Sequence, residues 1–417
     1  MRREPALWPA GVAAAVLLGV SFFVLQHWLE HGALSDVPVY AHYARLIRSG
    51  QLPYRGFAVE YPPAALAAFV VPSYLPWSYA TSFAVAMGVC GAGCLLSAAA
   101  VLRGVRARPD RIAAALLAIG VSPLLLGSLF DSRFDLLAAM LAVAALAAVV
   151  HERPWLGGGL LGLAAAAKLW PLVLLPVALA YLWRRRGTRA AAALGVGLVA
   201  AVAACTVPFA ALAPAGVWHS LTVQLDRPLQ VESLGAAVLM VAQHLGGVSL
   251  TTVTTHGSQN LAGGLPDAVA AASTVLAVVV VATIWIRFAR VRRPGGDSVV
   301  VASAAAVATL VAFGKVFSPQ FLIWLVPLVP LVRGRRGLAA TLLLFTALGL
   351  TQTWFPDGYW QLALRHSDPY AGYLLLRDLA VVAIAVVLAW PARLQDEALG
   401  KERSRLEALR SIRPQVE

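Results

Sequence analysis

The stretch LSDVPVYAHYARLIRSGQLPYRGFAVEYPP, residues 34–63, is the first polar segment after a long apolar run. Its first half predicts a helix that Ser35 or Asp36 can cap and that Gly50 can end. The apolar face of this helix is predicted to contain Val39, Tyr43, Leu46 and Ile47. Its other face carries histidine and arginine, a pattern typical of a helix lying flat at a membrane interface. The stretch therefore predicts an external loop that does more than connect two spans.

The composition is that of a membrane protein. Of 417 residues, 60% are hydrophobic and only 13% are charged, whereas soluble domains carry about a quarter charged residues. The net charge of +13 could indicate a nucleic-acid-binding protein, but the basic residues cluster in short runs between apolar segments, as cytoplasmic loops do. We therefore predict an all-α polytopic protein of the cytoplasmic membrane, with both termini inside the cell and no nucleic-acid partner.

Apolar segments divide the chain into a transmembrane domain, residues 1–391, and a charged cytoplasmic tail, residues 392–417. About twelve crossings are predicted, at 6–26, 79–102, 111–130, 133–151, 156–183 (two arms), 190–212, 267–289, 298–332 (two arms), 337–353 and 371–391. External loops are predicted at 27–78, with a second interfacial or re-entrant helix at 61–76, and at 213–266.

Two of the apolar segments are interrupted by a lysine and a proline. Lys168-Leu169-Trp170-Pro171 breaks the first, and Lys315-Val316-Phe317-Ser318-Pro319-Gln320 breaks the second. Each is predicted to form a hairpin of two short helices whose turn carries the lysine toward the outer side. Irregular backbone at membrane depth is tolerated where it lines water or a ligand. The two breaks therefore predict an outer cavity.

Acids, cations and aromatic residues converge on the same outer face. Ionisable side chains at membrane depth are costly, so each is a candidate functional residue. Cations there suit an anionic phosphate, because Arg offers a planar fork and Lys a point charge. Aromatic rings beside carboxylates suit a sugar, whose C–H face packs on the ring while the acids accept from its hydroxyls. The pattern predicts chemistry on a phosphate-bearing sugar lipid.

Several segments together resemble one family of enzymes. The first loop, from Asp36 through Gly50-Gln51-Leu52-Pro53-Tyr54-Arg55-Gly56-Phe57 to Glu60-Tyr61-Pro62-Pro63, resembles that of the polyprenol-phosphate-mannose-dependent mannosyltransferases, glycosyltransferase family 87. Further matching blocks, in the same order, are Arg133-Phe134-Asp135, Lys168-Leu169-Trp170-Pro171, Arg227-Pro228-Leu229-Gln230-Val231-Glu232-Ser233 and Lys315-Val316-Phe317-Ser318-Pro319-Gln320. The resemblance implies a GT-C fold and transfer of a hexose, mannose, from a polyprenyl-phosphate carrier to a glycan or glycolipid acceptor outside the membrane.

The same resemblance implies the roles of individual residues. Asp36 is the implied catalytic base, and an auxiliary histidine could be His219, His244 or His256. The candidate substrate-binding residues are Tyr40, Tyr54, Glu60, Tyr61, Arg133, Asp135, Lys168, Trp170, His219, Arg227, Gln230, Glu232, Lys315 and Gln320. No cofactor and no metal site are expected.

Structural explanations compete with each of these roles. Asp36 could serve only as a helix cap, and the two lysines could extend to the interface without binding anything. Asp131, Arg133 and Asp135 could form a local ion-pair turn, and Arg227 could pair with Glu232.

A lipid-linked sugar flippase or another membrane transporter is the alternative function, because broken helices with charges at membrane depth also occur in transporters. The two hairpins share one orientation, and no acid is expected in the middle of a span, where it could couple transport to an ion. Both features favour a transferase.

Overall fold

The computed structural model describes residues 8–27 and 34–389. Within them it has eighteen α-helices: α1 Trp8–His27, α2 Val37–Arg48, α3 Ala65–Val70, α4 Tyr79–Gly104, α5 Pro109–Leu126, α6 Leu129–Ser132, α7 Asp135–Val150, α8 Pro154–Ala167, α9 Leu175–Arg186, α10 Thr188–Leu212, α11 Pro214–Thr222, α12 Leu234–His244, α13 Gly264–Ala289, α14 Gly296–Phe313, α15 Leu322–Leu325, α16 Gly334–Gln352, α17 Tyr359–Arg365 and α18 Asp368–Ala389. Three strands are also present: β1 Leu229–Gln230, β2 Thr251–Thr255 and β3 Ser258–Ala262. The predicted tail 392–417 lies outside the described residues.

The protein is an all-α polytopic membrane protein. Six of its described helices, α4, α5, α10, α13, α14 and α18, are long and apolar enough to cross a bilayer. The predicted crossings α7 and α8 are apolar but have only 16 and 14 residues, short of the roughly 20 needed to span the hydrocarbon. The count of twelve crossings stays a prediction.

Small residues bring two helices of the bundle into close contact. Gly158 and Gly162 lie one turn apart on α8 and face α10. A Cβ at Gly158 would lie 2.0 Å from the backbone oxygen of Leu194, so only glycine allows this approach. Such spacing of small residues is the usual means of close packing between membrane helices.

The first broken segment is confirmed. α8 ends at Ala167, Lys168 has an extended backbone, and a 3₁₀ turn from Trp170 to Leu174 leads into α9. The second segment breaks after α14, as predicted, but its second arm is a series of short turns around α15 rather than a regular helix. Pro327 and Pro330 explain this difference, because proline removes a backbone donor and clashes with the preceding turn.

The first external loop contains two short helices packed on each other. α2 buries Tyr40, Tyr43 and Ala44, and the Tyr40 ring stacks on Phe69 of α3 at 4.4 Å. The prediction of an amphipathic α2 is confirmed, but Val39 is 45% exposed and does not belong to the packed face. The buried face of α2 differs from the predicted one because the helix packs against α3 and α4 of the protein. Val39 instead lines a cavity.

The long external loop contains a small antiparallel sheet that the sequence did not predict. Its strand order is β1-β3-β2, with Gln230 of β1 opposite Asn260 of β3. The turn between β2 and β3 has positive φ at His256 and Gly257, as tight hairpins of matching twist require. The turn of this hairpin lines a cavity.

Candidate active site

A cavity of about 540 Å³ lies within the described part of the chain. Its walls come from the start of α2, the turn before α7, both broken segments, the outer sheet and α17. Ten of the predicted site residues line it: Asp36, Glu60, Tyr61, Arg133, Lys168, Trp170, Arg227, Gln230, Glu232 and Gln320. The structure does not bring the other predicted residues to its wall: Tyr40, Tyr54, Asp135, His219 and Lys315.

The Asp36 carboxylate is held by side chains rather than used as a helix cap. It forms an ion pair with Arg133 and accepts a hydrogen bond of 3.3 Å from the Tyr40 hydroxyl. Asp36 makes no side-chain cap bond, and the first amide of α2, that of Val37, donates to Ser35 Oγ at 3.2 Å. The carboxylate is therefore fixed in position and faces the cavity.

Arg133 joins the loop to the bundle. Its side chain is buried, and besides Asp36 it donates to the backbone oxygen of Leu34 at 2.7 Å. The alternative of a local ion-pair turn does not hold for Arg133 and Asp135. Arg133 pairs with Asp36, and Asp135 pairs with Lys168, so both pairs join distant segments.

Aromatic side chains fill the space behind Asp36. Tyr61 lies edge-on to Phe134 at 5.0 Å and to Tyr40 at 6.1 Å. Burial is the main cause that raises the pKa of Tyr40 and of Tyr61. Both hydroxyls therefore stay protonated near neutral pH, and Tyr40 acts as a hydrogen-bond donor to Asp36. Tyr54 supports the same loop by donating to the Tyr61 backbone oxygen at 2.7 Å.

Lys168 lies in a ring of aromatic side chains at the base of the cavity. Its ammonium donates to Asp135 Oδ1 at 2.7 Å and lies 4.9 Å from the Phe134 ring centre. Trp324 also donates to the same carboxylate oxygen and stacks on Trp170 at 4.9 Å. An ammonium has three donors, so the pair with Asp135 leaves hydrogen-bonding capacity that faces the cavity.

Arg227 and Lys315 are both engaged by backbone groups. Arg227 donates to the His256 backbone oxygen at 2.8 Å and so holds the hairpin turn over the cavity. It forms no ion pair with Glu232. Lys315 donates to the backbone oxygen of Leu225 at 2.7 Å. Of the two, only Arg227 contributes to the cavity wall.

Comparison with known proteins identifies the family. The model of glycosyltransferase family 87 matches residues 59–319, well over half of the chain. The chain belongs to glycosyltransferase family 87.

Among solved structures, the chain is similar to the oligosaccharyltransferase of Archaeoglobus fulgidus, which was crystallised with a tethered acceptor peptide containing an NVT sequon. The identity is 14% and the TM-score 0.45, with 92% of this chain and 54% of that chain covered. The chain thus spans about half the length of that protein. No curated protein matches the sequence.

The three candidate histidines occupy different places. His256 lines the cavity, and its Nδ1 is buried with no hydrogen-bond partner. His219 is exposed on α11, and His244 lies against the His366 backbone oxygen. Of these three, His256 is the one that the fold brings to the cavity.

Sequence reasoning missed a buried ion pair in α18. Arg377 and Asp378 are completely buried, and their Nε and Oδ1 atoms lie 2.7 Å apart. The expectation that no acid lies in the middle of a span is therefore wrong, because Asp378 lies near the middle of α18. The sequence could have revealed this pair, because two adjacent charged residues stand in an otherwise apolar segment. Burying charges there costs free energy, so such residues are candidates for a function.

Within 8–27 and 34–389, no cluster of three or more His, Cys, Asp or Glu side chains could hold a metal ion.

Proposed function

We propose that this glycosyltransferase moves a hexose from a polyprenyl-phosphate carrier to a hydroxyl of a glycan or glycolipid, at the outer face of the cytoplasmic membrane. Mannose is the hexose that the resemblance implies. The observation that carries the proposal is the Asp36 carboxylate, which lines the cavity, is held by Arg133 and Tyr40, and makes no helix-cap bond.

Asp36 is proposed to act as the general base. The acceptor oxygen forms a bond to the anomeric carbon of the sugar, the bond from that carbon to the phosphate oxygen breaks, and the hydroxyl proton passes to the Asp36 carboxylate. Direct displacement of this kind inverts the anomeric configuration. The pair with Arg133 fixes the carboxylate, and a proton leaving a hydroxyl that is already bonding to carbon needs only a weak base.

The leaving group is proposed to be a polyprenyl phosphate anion. Its developing negative charge needs nearby donors, and Lys168 and Arg133 both line the cavity. Because a phosphate monoester anion is stable in water, a separate general acid is not required. Trp170, Trp324 and Phe321 offer flat apolar surfaces in the same wall, which suit the C–H face of a sugar.

The proposed face of the membrane is tested by labelling. Single cysteines at Ser49 and Thr251, in a background without the native cysteines, are expected to react with an impermeant maleimide added to intact cells. A cysteine at Thr188, between α9 and α10, is expected to react only after lysis. All three positions are exposed, so accessibility within the protein does not confound the result. Labelling of Thr188 from outside would place the cavity on the cytoplasmic side.

The proposed donor is tested with purified protein in nanodiscs. Polyprenyl-phosphate [¹³C]mannose and nucleotide-linked mannose are supplied in parallel with a glycolipid extract, and products are followed by mass spectrometry. Labelled product is expected from the lipid donor alone. Product from the nucleotide sugar alone would overturn the proposed donor class.

A further inference from the structure

Glu232 is a buried acid at the cavity wall, and one of its carboxylate oxygens accepts no hydrogen bond from the described residues. Only 2% of the residue is exposed, and its Oε2 has no hydrogen-bond partner, although it lines the cavity. A buried carboxylate oxygen without a donor is costly. Nearby, Gln230 Oε1 is buried and unpartnered in the same way. Two residues of the cavity wall therefore each have a buried acceptor oxygen without a donor from the described residues.

The backbone beneath Glu232 is fixed from several sides. The backbone N–H of Gln230 donates to the Lys315 backbone oxygen at 3.0 Å. The backbone N–H of Val231 donates to the Gln259 backbone oxygen at 3.1 Å. The Ser233 hydroxyl caps α12 by accepting from the Ala236 amide at 3.4 Å. The carboxylate therefore extends from a rigid turn, so its position is a property of the fold.

Arg377 completes this support from within the membrane bundle. Its Nη2 donates to the Glu232 backbone oxygen at 2.6 Å. The guanidinium lies 3.8 Å from the Phe317 ring centre and 5.6 Å from that of Trp354. A fully buried charge of this kind is retained only where it is paired and well surrounded. Among the described residues, the hydrogen bond that its guanidinium donates outside α18 goes to the turn that carries Glu232.

We propose that Glu232 accepts a hydrogen bond from a sugar hydroxyl in the cavity and that Arg377 is a positioning residue, which holds Glu232 and stabilises its negative charge. The inference rests on the proposed function. Sugar hydroxyls are donors that suit unpartnered carboxylate and amide oxygens. The hydroxyl belongs either to the transferred sugar or to the acceptor, which share this chemistry.

The charges around Glu232 make its ionisation sensitive to Arg377. Burial is the main cause that raises the pKa of Glu232, to about 7, and Arg377, Arg227 and Arg133 oppose it in that order. From α17, Tyr359 also faces the carboxylate. Because the charged form accepts hydrogen bonds more strongly, sugar binding is expected to rise as the pH passes upward through about 7.

The first test replaces Glu232 by glutamine, which keeps the shape and removes the charge. At pH 8, kcat/KM with polyprenyl-phosphate mannose and glycolipid is expected to fall about tenfold, the effect of one weakened charged hydrogen bond. A raised KM for the donor assigns the hydroxyl to the transferred sugar, and a raised KM for the glycolipid assigns it to the acceptor. Wild-type kinetics with both substrates would overturn the proposal.

The second test separates positioning from simple structural support. In Arg377→Met the rise of kcat/KM with pH is expected to move to higher pH, because the carboxylate loses a stabilising positive charge. Glu232→Gln is expected to lack that rise between pH 6 and 8. If Arg377→Met does not fold, Arg377→Met/Asp378→Asn removes both buried charges and leaves neither unpaired. An unchanged pH profile in the folded variant would show that Arg377 is only structural.

A third readout does not depend on turnover. The Glu232 carboxyl band, identified by its absence in Glu232→Gln, is titrated by infrared spectroscopy in the wild type and in the Arg377 variant. Its midpoint is expected to rise in the variant, and an equal midpoint overturns the coupling. If the wild type neither binds nor uses the lipid donor, the proposed function fails while this measurement still decides the link between Arg377 and Glu232.

Discussion

Replacing Asp36 by asparagine is expected to lower turnover by at least about 10²-fold, the low end of the effect of losing a general base. The amide has nearly the same shape and can still accept the Tyr40 hydrogen bond, but it cannot take a proton. Donor binding is expected to persist, because the aromatic wall and Lys168 remain in place. Single-turnover release of polyprenyl phosphate from preloaded donor measures the chemical step apart from binding.

Glu60→Gln is the matched control for this variant. Glu60 also lines the cavity and is an acid of the same loop, but its side chain is exposed at the rim. Its loss is expected to change turnover less than about tenfold, well short of a lost general base. If Asp36→Asn turns over at nearly the wild-type rate while Glu60→Gln does not, Glu60 is the base and the assignment of Asp36 is wrong.

The second large effect is expected from Lys168→Met, which should weaken donor binding about ten- to a hundredfold. That range corresponds to a charge-assisted contact of about 1.5–3 kcal/mol. Methionine has a similar length and fits among aromatic rings, so the shape of the wall changes little. Binding of the lipid donor to the Asp36→Asn background, measured by calorimetry, separates this effect from turnover.

Two further variants show whether Lys168 contacts the donor or only neutralises Asp135. Lys168→Met leaves Asp135 buried without its cation, so Lys168→Met/Asp135→Asn is expected to recover thermal stability but not donor affinity. Lys315→Met is the matched control, because its ammonium bonds to a backbone oxygen and does not line the cavity. It is expected to change donor affinity by no more than about twofold, the usual range for substitutions away from a site. Full donor affinity in the double variant would show that Lys168 serves only to neutralise Asp135.

Hydropathy and charge patterning predicted much of the fold. The polytopic class, the amphipathic α2 and the break at Lys168 follow from local sequence, because apolar runs, polar faces and prolines act within a few residues. Asp36 could be singled out as an acid where an apolar segment ends. These features are local, and the described structure contains them.

Pairings between distant segments could not be predicted in the same way. Nothing near Asp36 indicates that Arg133 is its partner, and nothing near Lys168 indicates Asp135, because both pairs depend on how the helices pack. The sheet has two five-residue strands, TTVTT and SQNLA, in which apolar and polar residues do not alternate. Its third strand, β1, has only two residues, too few to show such a pattern. Arg377 could have been noticed in the sequence, because it is a charged residue in an apolar segment. Its partner, the turn at Glu232, is defined only by the fold.

The anomeric configuration of the product tests the central claim most directly. Wild-type protein in nanodiscs is given polyprenyl-phosphate mannose labelled with ¹³C at the anomeric carbon, and the one-bond carbon–hydrogen coupling of the glycolipid product is measured by NMR. Direct displacement at the Asp36 cavity predicts a product of the configuration opposite to that of the donor, formed by the wild type and not by Asp36→Asn. A product that retains the donor configuration, or one that forms equally in Asp36→Asn, would contradict the account.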